Sequence, residues 1–140
     1  MSSHIFFHTE CDFKLKSLRS LKKWITDTIA EEQQDFQSIN FVFCTDADLL
    51  EKNKAYLNHD TLTDIITFDY SEKKIINGDI FISVERVKEN AITFAVPFEN
   101  ELRRVMIHGV LHLLGYKDKS DIEQKEMTEK ENYYLAKIYK

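Results

Sequence analysis

The sequence predicts an α+β fold: a single domain over residues 1–140, with a mixed four-stranded sheet packed with about five helices. Three observations lead there. Four short runs rich in Ile, Phe, Val and Thr alternate with longer segments whose apolar residues recur near a helical period. No repeat, linker or low-complexity tract interrupts them. Only three glycines and one proline stand in 140 residues, 43% of which are hydrophobic, a composition suited to few irregular segments. A chain of this length buries its own core without disulfides or a partner, so a monomer is expected.

Each element has its own signal. Ile5-Phe6-Phe7, within residues 4–8, reads as a strand. Leu18, Leu21, Ile25 and Ile29 recur as on one face of a helix over residues 17–33, with Ser17 as its expected N-cap. Residues 39–44 cluster β-branched and aromatic side chains and read as a strand. Asp46 is expected to cap a helix through Tyr56, packed by Leu49 and Leu50. Two strands, 64–69 and 78–83, flank the polar turn Ser71-Glu72-Lys73-Lys74. A short helix over residues 84–91 follows, and Pro97 stands at the entrance to a helix over residues 98–114. The last helix, residues 121–139, carries Ile122, Met127, Tyr134, Leu135 and Ile138, and its basic final turn suits the helix dipole. The sheet is expected to be covered largely on one side.

Residues 108–118, H-G-V-L-H-L-L-G-Y-K-D, carry the chemistry. Residues four apart share a helical face, so the rings of His108 and His112 can converge on one cation. Gly115 suits a left-handed helix end, after which Asp118 can return toward the pair. Two imidazoles and one carboxylate leave the fourth tetrahedral position to water, the arrangement of a catalytic zinc, at the end of a central helix. Zinc acidifies such a water to a pKa of about 7. One zinc per chain is expected, with other divalent metals open because the third ligand is an aspartate. Zinc proteases of the H-E-x-x-H type place a general-base glutamate after the first histidine; here that position is Gly109, which argues against peptide hydrolysis. The spacing alone also allows the bland alternative of two near-core histidines. Asp64 and Asp79, at strand ends, are expected to satisfy backbone amides or cap turns.

Three blocks resemble the YbeY family of endoribonucleases, the rRNA maturation factors. The family signature H-G-x-L-H-L-x-G-Y-D-H is matched by His108, Gly109, Leu111, His112, Leu113, Gly115 and Tyr116. Thr63-Asp64-Ile65-Ile66-Thr67-Phe68 resembles the family's T-[DN]-V-L-S-F strand, and Gly78-Asp79-Ile80-Phe81-Ile82-Ser83 its G-D-I-x-I-[CS] strand. The resemblance implies a zinc-dependent endoribonuclease acting on single-stranded RNA in rRNA maturation, at the 3′ end of 16S rRNA, and in ribosome quality control. Its partners would be ribosomal RNA and the small ribosomal subunit, with no membrane involved.

Two positions depart from the family pattern. The third histidine falls on Asp118, with Lys117 where an aspartate usually stands. The arginine that commonly follows tyrosine ahead of the first strand block is Leu57, after Tyr56. If that arginine grips phosphate, His59 and Arg104 are the candidates to replace it, Arg104 lying one helical turn ahead of His108. No separate general base is evident, leaving water held by the metal to attack, or the RNA 2′-hydroxyl to be polarised. Two other readings stay open: a metal hydrolase of another substrate class, and a non-catalytic ribosome-associated factor whose metal holds the C-terminal turn.

Charge and composition bound these readings. The net charge of −5 lacks the overall basic footprint of most nucleic-acid binders. Lys14, Lys16, Arg19, Lys22 and Lys23 nevertheless cluster near the N-terminus, while acids gather at Glu31, Glu32 and Asp35 and again over residues 121–131. A basic N-terminal helix is therefore expected to meet phosphate. No stretch approaches the ~18 apolar residues of a membrane span and no signal-peptide pattern opens the chain, so a cytoplasmic location is expected. Cys11 and Cys44 follow no metal or redox spacing and read as reduced thiols, Cys44 buried at the end of an apolar run.

Overall fold

Four strands form one sheet in the order β1-β2-β4-β3: β1 is His4–Thr9, β2 Asp35–Cys44, β3 Ile65–Asp69 and β4 Ile75–Ser83. This computed structural model describes residues 3–57 and 63–138. β1, β2 and β4 run parallel, and β3 pairs antiparallel with β4 at the sheet edge. Parallel neighbours need a crossover. Helix α1 (Leu18–Glu31) supplies it between β1 and β2, and α2 (Asp46–Leu57) lies between β2 and the β3–β4 hairpin. That hairpin turns through Lys73 and Lys74 at φ 38° and 66°, the left-handed pair that a two-residue loop requires. Helices α3 (Val84–Thr93), α4 (Phe98–Leu113) and α5 (Asp121–Ile138) complete the order.

The two-residue strand period decides what is buried. Ile39, Phe41 and Phe43 of β2 and Ile76, Ile80 and Ile82 of β4 form one buried face. Leu21, Ile25 and Ile29 of α1, Met106 and Val110 of α4, and Met127, Tyr134 and Leu135 of α5 belong to the same core. The opposite face holds only a small cluster of Cys44, Leu49 and Ile66 with α2, and Phe6 at the β1 end is 43% exposed. The sheet is thus covered largely on one side, as its sequence pattern predicts.

Several local expectations are corrected. β2 and β4 begin at Asp35 and Ile75 rather than at residues 39 and 78, because cross-strand pairing of Asp35 with Ile75 and Phe36 with Ile76 extends the ladder past Gln37, Ser38 and Asn77, which interrupt the apolar pattern. Ser17 adopts φ 60° and makes no cap bond, since capping needs an extended backbone at that residue. Thr45, not Asp46, caps α2: its Oγ1 accepts from the Asp48 amide at 3.1 Å. The Asp46 carboxylate instead accepts from Ser83 Oγ at 2.6 Å and from Arg86 at 2.9 Å, fastening α2 to the start of α3. Ile122 is 83% exposed, and the buried stripe of α5 is Met127, Glu131, Tyr134 and Leu135. Both cysteines are free, and burial pushes the Cys44 thiol up to about 12. Among the described residues no helix is long and apolar enough to cross a membrane.

Candidate metal centre

Helix α4 runs through the core, and its C-terminal end is built to stop where the sequence predicts. Leu114 is the C-cap and Gly115 follows at φ 108°. The Gly115 amide donates to the His112 carbonyl and the Tyr116 amide to the Leu111 carbonyl, both at 3.0 Å, which together make a Schellman motif. A Cβ on Gly115 would meet nothing within 4 Å, so the glycine is required by backbone conformation alone. Beyond the turn, a reciprocal capping box opens α5. Ser120 Oγ accepts from the Glu123 amide at 3.1 Å, and Glu123 Oε1 accepts from the Ser120 amide at 3.0 Å. Asp118 thus stands on a short segment fastened at both ends.

The three expected ligands converge. His108 Nε2 lies 3.0 Å from His112 Nε2, and Asp118 Oδ2 lies 3.2 and 3.3 Å from those two nitrogens. Ligands at about 2.0–2.1 Å from a tetrahedral ion sit about 3.3 Å apart, so the three atoms fit one cation. The partners of the opposite ring nitrogens sharpen the point. His112 Nδ1 donates to the Tyr116 carbonyl at 3.0 Å, and His108 Nδ1 donates to Glu131 Oε2 at 2.6 Å. A carbonyl can only accept, and Glu131 faces His108 as a carboxylate, so both neutral rings carry their proton on Nδ1. The Nε2 atoms of the neutral rings then face each other and a carboxylate oxygen, an arrangement that a metal ion, or a proton on one Nε2, neutralises. Among the described residues this is the one group of three or more such side chains arranged to hold a metal ion.

Glu131 is the functional residue that sequence reasoning missed. Its side chain is only 9% exposed, and its second oxygen accepts from Arg104 at 2.8 Å. A carboxylate on the far nitrogen of a ligating histidine fixes tautomer and orientation and raises ligand basicity. A charged residue within the buried Met127–Tyr134–Leu135 stripe was the signal that could have found it. Burial of the His108 ring opposes its protonation, but the Glu131 hydrogen bond and the charges of Glu131, Asp118 and Asp64 outweigh this and hold its pKa above the ordinary value.

The other expected positions separate. Arg104 donates to Glu131 and, at 2.7 Å, to Asn132, while still lining a cavity of about 270 Å³ with His108, Asp118 and Asp64. His59 lies outside the described residues. Asp64 lines the metal cleft, bonds its own backbone amide and accepts from Asn90 at 3.4 Å; burial above all holds its carboxyl above the usual range. Asp79 bonds Asn40 at 3.0 Å and Tyr70 at 3.5 Å across the sheet, so its partners are side chains rather than the backbone amides expected. The cleft beside the ligands has a volume of about 530 Å³ and is walled by β3 from Ile65 to Asp69 and by Lys119.

Gly109 explains the missing protease base. A Cβ there would lie 2.9 Å from Ile80 Cγ2 and 3.0 Å from Ile65 Cδ1. The helix packs onto the sheet at this point, and any side chain there has to displace Ile80 and Ile65.

A second network holds the turn from behind. The Glu32 carboxylate accepts from Tyr116 Oη at 2.7 Å, from Lys130 at 3.1 Å and from Tyr134 Oη, and Gln34 donates to the Leu114 carbonyl at 3.2 Å. Burial raises the Glu32 pKa, but these three donors outweigh it and leave the group below its ordinary value. Its stabilisation is therefore complete above the unfolded-state pKa of about 4.3 and is lost as pH falls through the lower folded value. Glu32→Gln is expected to cost about 2 kcal/mol at pH 7, with the gap to wild type closing below pH ~4. Urea unfolding of both chains between those pH values checks this; a gap that stays constant would refute it.

Comparison with known proteins agrees with the geometry. The family model described as Endoribonuclease YbeY matches residues 6–139. The chain is 55% identical over 131 residues to the endoribonuclease YbeY of Flavobacterium psychrophilum, covering 94% of each chain. It is 49% identical to that of Amoebophilus asiaticus, covering 93% of this chain and 89% of the relative. The fold is similar to the solution structure of a Thermotoga maritima protein, with a TM-score of 0.69, 30% identity and coverage of 97% and 89%. Family match, fold and converged ligand set agree: the chain belongs to the YbeY endoribonuclease family.

Proposed function

We propose that the chain is a zinc-dependent endoribonuclease that cuts single-stranded RNA during maturation of the small-subunit rRNA 3′ end and in ribosome quality control. The carrying observation is the convergence of His108 Nε2, His112 Nε2 and Asp118 Oδ2 within 3.0–3.3 Å of one another, the spacing of three ligands on one ion. His108, His112 and Asp118 would hold the ion. When bound, it supplies positive charge to a phosphate and water acidified toward neutrality. Glu131 orients His108, the Tyr116 carbonyl orients His112, and the wall of β3 beside the ligands offers room for an extended strand. Arg104, on the same cavity as His108, is the described candidate to contact phosphate, with His59 the other. This reading places the chain in the cytoplasm, acting as a monomer on the ribosome.

Gly109 speaks against a peptide hydrolase, because the position of that chemistry's general base holds no side chain and is packed against Ile80 and Ile65. The Schellman motif and the capping box already hold the C-terminal turn, which supports a reactive rather than a structural ion. The test is cleavage of a transcript carrying the small-subunit rRNA 3′ end by metal-free and zinc-loaded chain. Cleavage that appears on loading and disappears in His112→Ala is expected; cleavage indifferent to a chelator would remove the metal from the reaction.

A further inference from the structure

Six apolar side chains around the N-terminal half of α4 form a cavity of about 160 Å³ that the metal centre does not use: Phe13, Leu15, Leu21, Phe98, Leu102 and Met106. Leu21, Leu102 and Met106 are buried and form its floor. Phe13 and Phe98 stand nearly edge to face, with ring centres 6.0 Å apart and planes at 72°, and form two of its walls. The volume suits one flat ring: an engineered cavity of about 150 Å³ accepts benzene.

The rim is basic in a chain of net charge −5. Lys14, Lys16 and Arg103 line it against a single acid, Glu99. Lys14 and Lys16 precede α1, as the expected helix start at Ser17 places them, Lys23 pairs with Asp27 at 2.8 Å, and Lys22 sits over the Phe7 ring at 5.9 Å. An apolar slot for one ring with cations at its mouth is complementary to a nucleotide, whose base is flat and whose phosphate is anionic.

The surface also leads somewhere. Arg103 lines this cavity, and its neighbour Arg104 lines the cavity that contains His108 and Asp118. Consecutive helical residues point about 100° apart, so the two arginines stand on adjoining faces of α4, and Arg103 lies about 14 Å along the axis from His112. We infer that the cavity between the Phe13–Lys16 segment and α4 is a second RNA subsite, which takes one nucleotide of the strand whose scissile phosphate lies at the metal centre. The base stacks on Phe13 or Phe98 and the flanking phosphates meet Lys14, Lys16 and Arg103. The inference rests on the RNA reading above.

The test is equilibrium binding of a labelled single-stranded oligoribonucleotide of about twelve residues across a salt series. Wild type is compared with Lys14→Ala/Lys16→Ala and with the triple variant that adds Arg103→Ala. The double variant stands beside the triple because Arg103 also has interactions within the fold. The triple variant is expected to bind at least tenfold more weakly, with a salt slope smaller by about 2, from three phosphate contacts at about 0.7 each; the double variant is expected to lose about two thirds of that slope. RNA bearing 4-thiouridine should crosslink to peptides containing Phe13 or Phe98. Unchanged affinity and slope in both variants, or crosslinks confined to the metal cleft, overturns the subsite while leaving cleavage intact. Binding through the cavity by a chain that cuts no RNA upholds the subsite and removes only the catalytic reading. An acidic peptide that occupies the cavity and is not displaced by the RNA would overturn it in favour of a protein partner.

Discussion

Gly109→Glu, which would restore the protease general base, is expected to destabilise the chain by more than about 4 kcal/mol, a large part of the 5–15 kcal/mol of an ordinary domain. Two costs combine. The first Cβ already falls 2.9 Å from Ile80 and 3.0 Å from Ile65, and overpacking of this kind costs about 1–3 kcal/mol. The carboxylate beyond it would be forced among the buried residues where α4 meets β3 and β4, with no paired charge. Gly109→Ala separates the terms. Helix propensity alone favours alanine by about 1 kcal/mol, and the clash opposes it, so a net loss of about 1 kcal/mol is expected. Urea unfolding reads both, and an alanine variant more stable than wild type would show that the helix is not clamped to the sheet at this glycine.

Glu131→Gln is expected to weaken metal binding by about ten- to a hundredfold while leaving the metal-free fold near wild-type stability. The carboxylate has two roles, receiving His108 Nδ1 at 2.6 Å and Arg104 at 2.8 Å. Glutamine keeps the shape and one acceptor, but loses the charge that makes the ring a stronger ligand. Its amide can also offer a proton to Nδ1, which moves the ring proton to Nε2 and blocks the ligand atom. Competition with a zinc chelator measures the change. Unaltered affinity would reduce Glu131 to a structural partner of Arg104.

What was legible in the sequence is what the chain decides locally. His108 and His112 meet because a helix places every fourth residue on one face, and Gly115 stops that helix because, having no Cβ, it adopts positive φ without strain. Asp118 follows from the reversal. Glu131 is 23 residues from His108 and reaches it only because α5 packs on α4, so no spacing rule announces it. The same limit hid the early parts of β2 and β4, where Asp35 and Phe36 pair with Ile75 and Ile76 beyond the polar Gln37, Ser38 and Asn77 that interrupt the apolar runs. Caps failed for a different reason. Ser17 and Asp46 have the right chemistry, but the backbone chose Thr45 for α2 and turned Ser17 left-handed. Family blocks supplied what spacing could not, the assignment to RNA, while the departures from the family pattern at Leu57 and Asp118 have to be read from the structure of this chain.

The measurement that bears most directly on the centre is elemental analysis of untagged chain purified without chelator and supplied with zinc, beside His112→Ala and Asp118→Ala. Close to one zinc per chain in wild type, lost from both variants while their folds persist, is the expected result. Wild type that takes up no metal, or an Asp118→Ala chain that keeps full occupancy, would contradict the three-ligand centre.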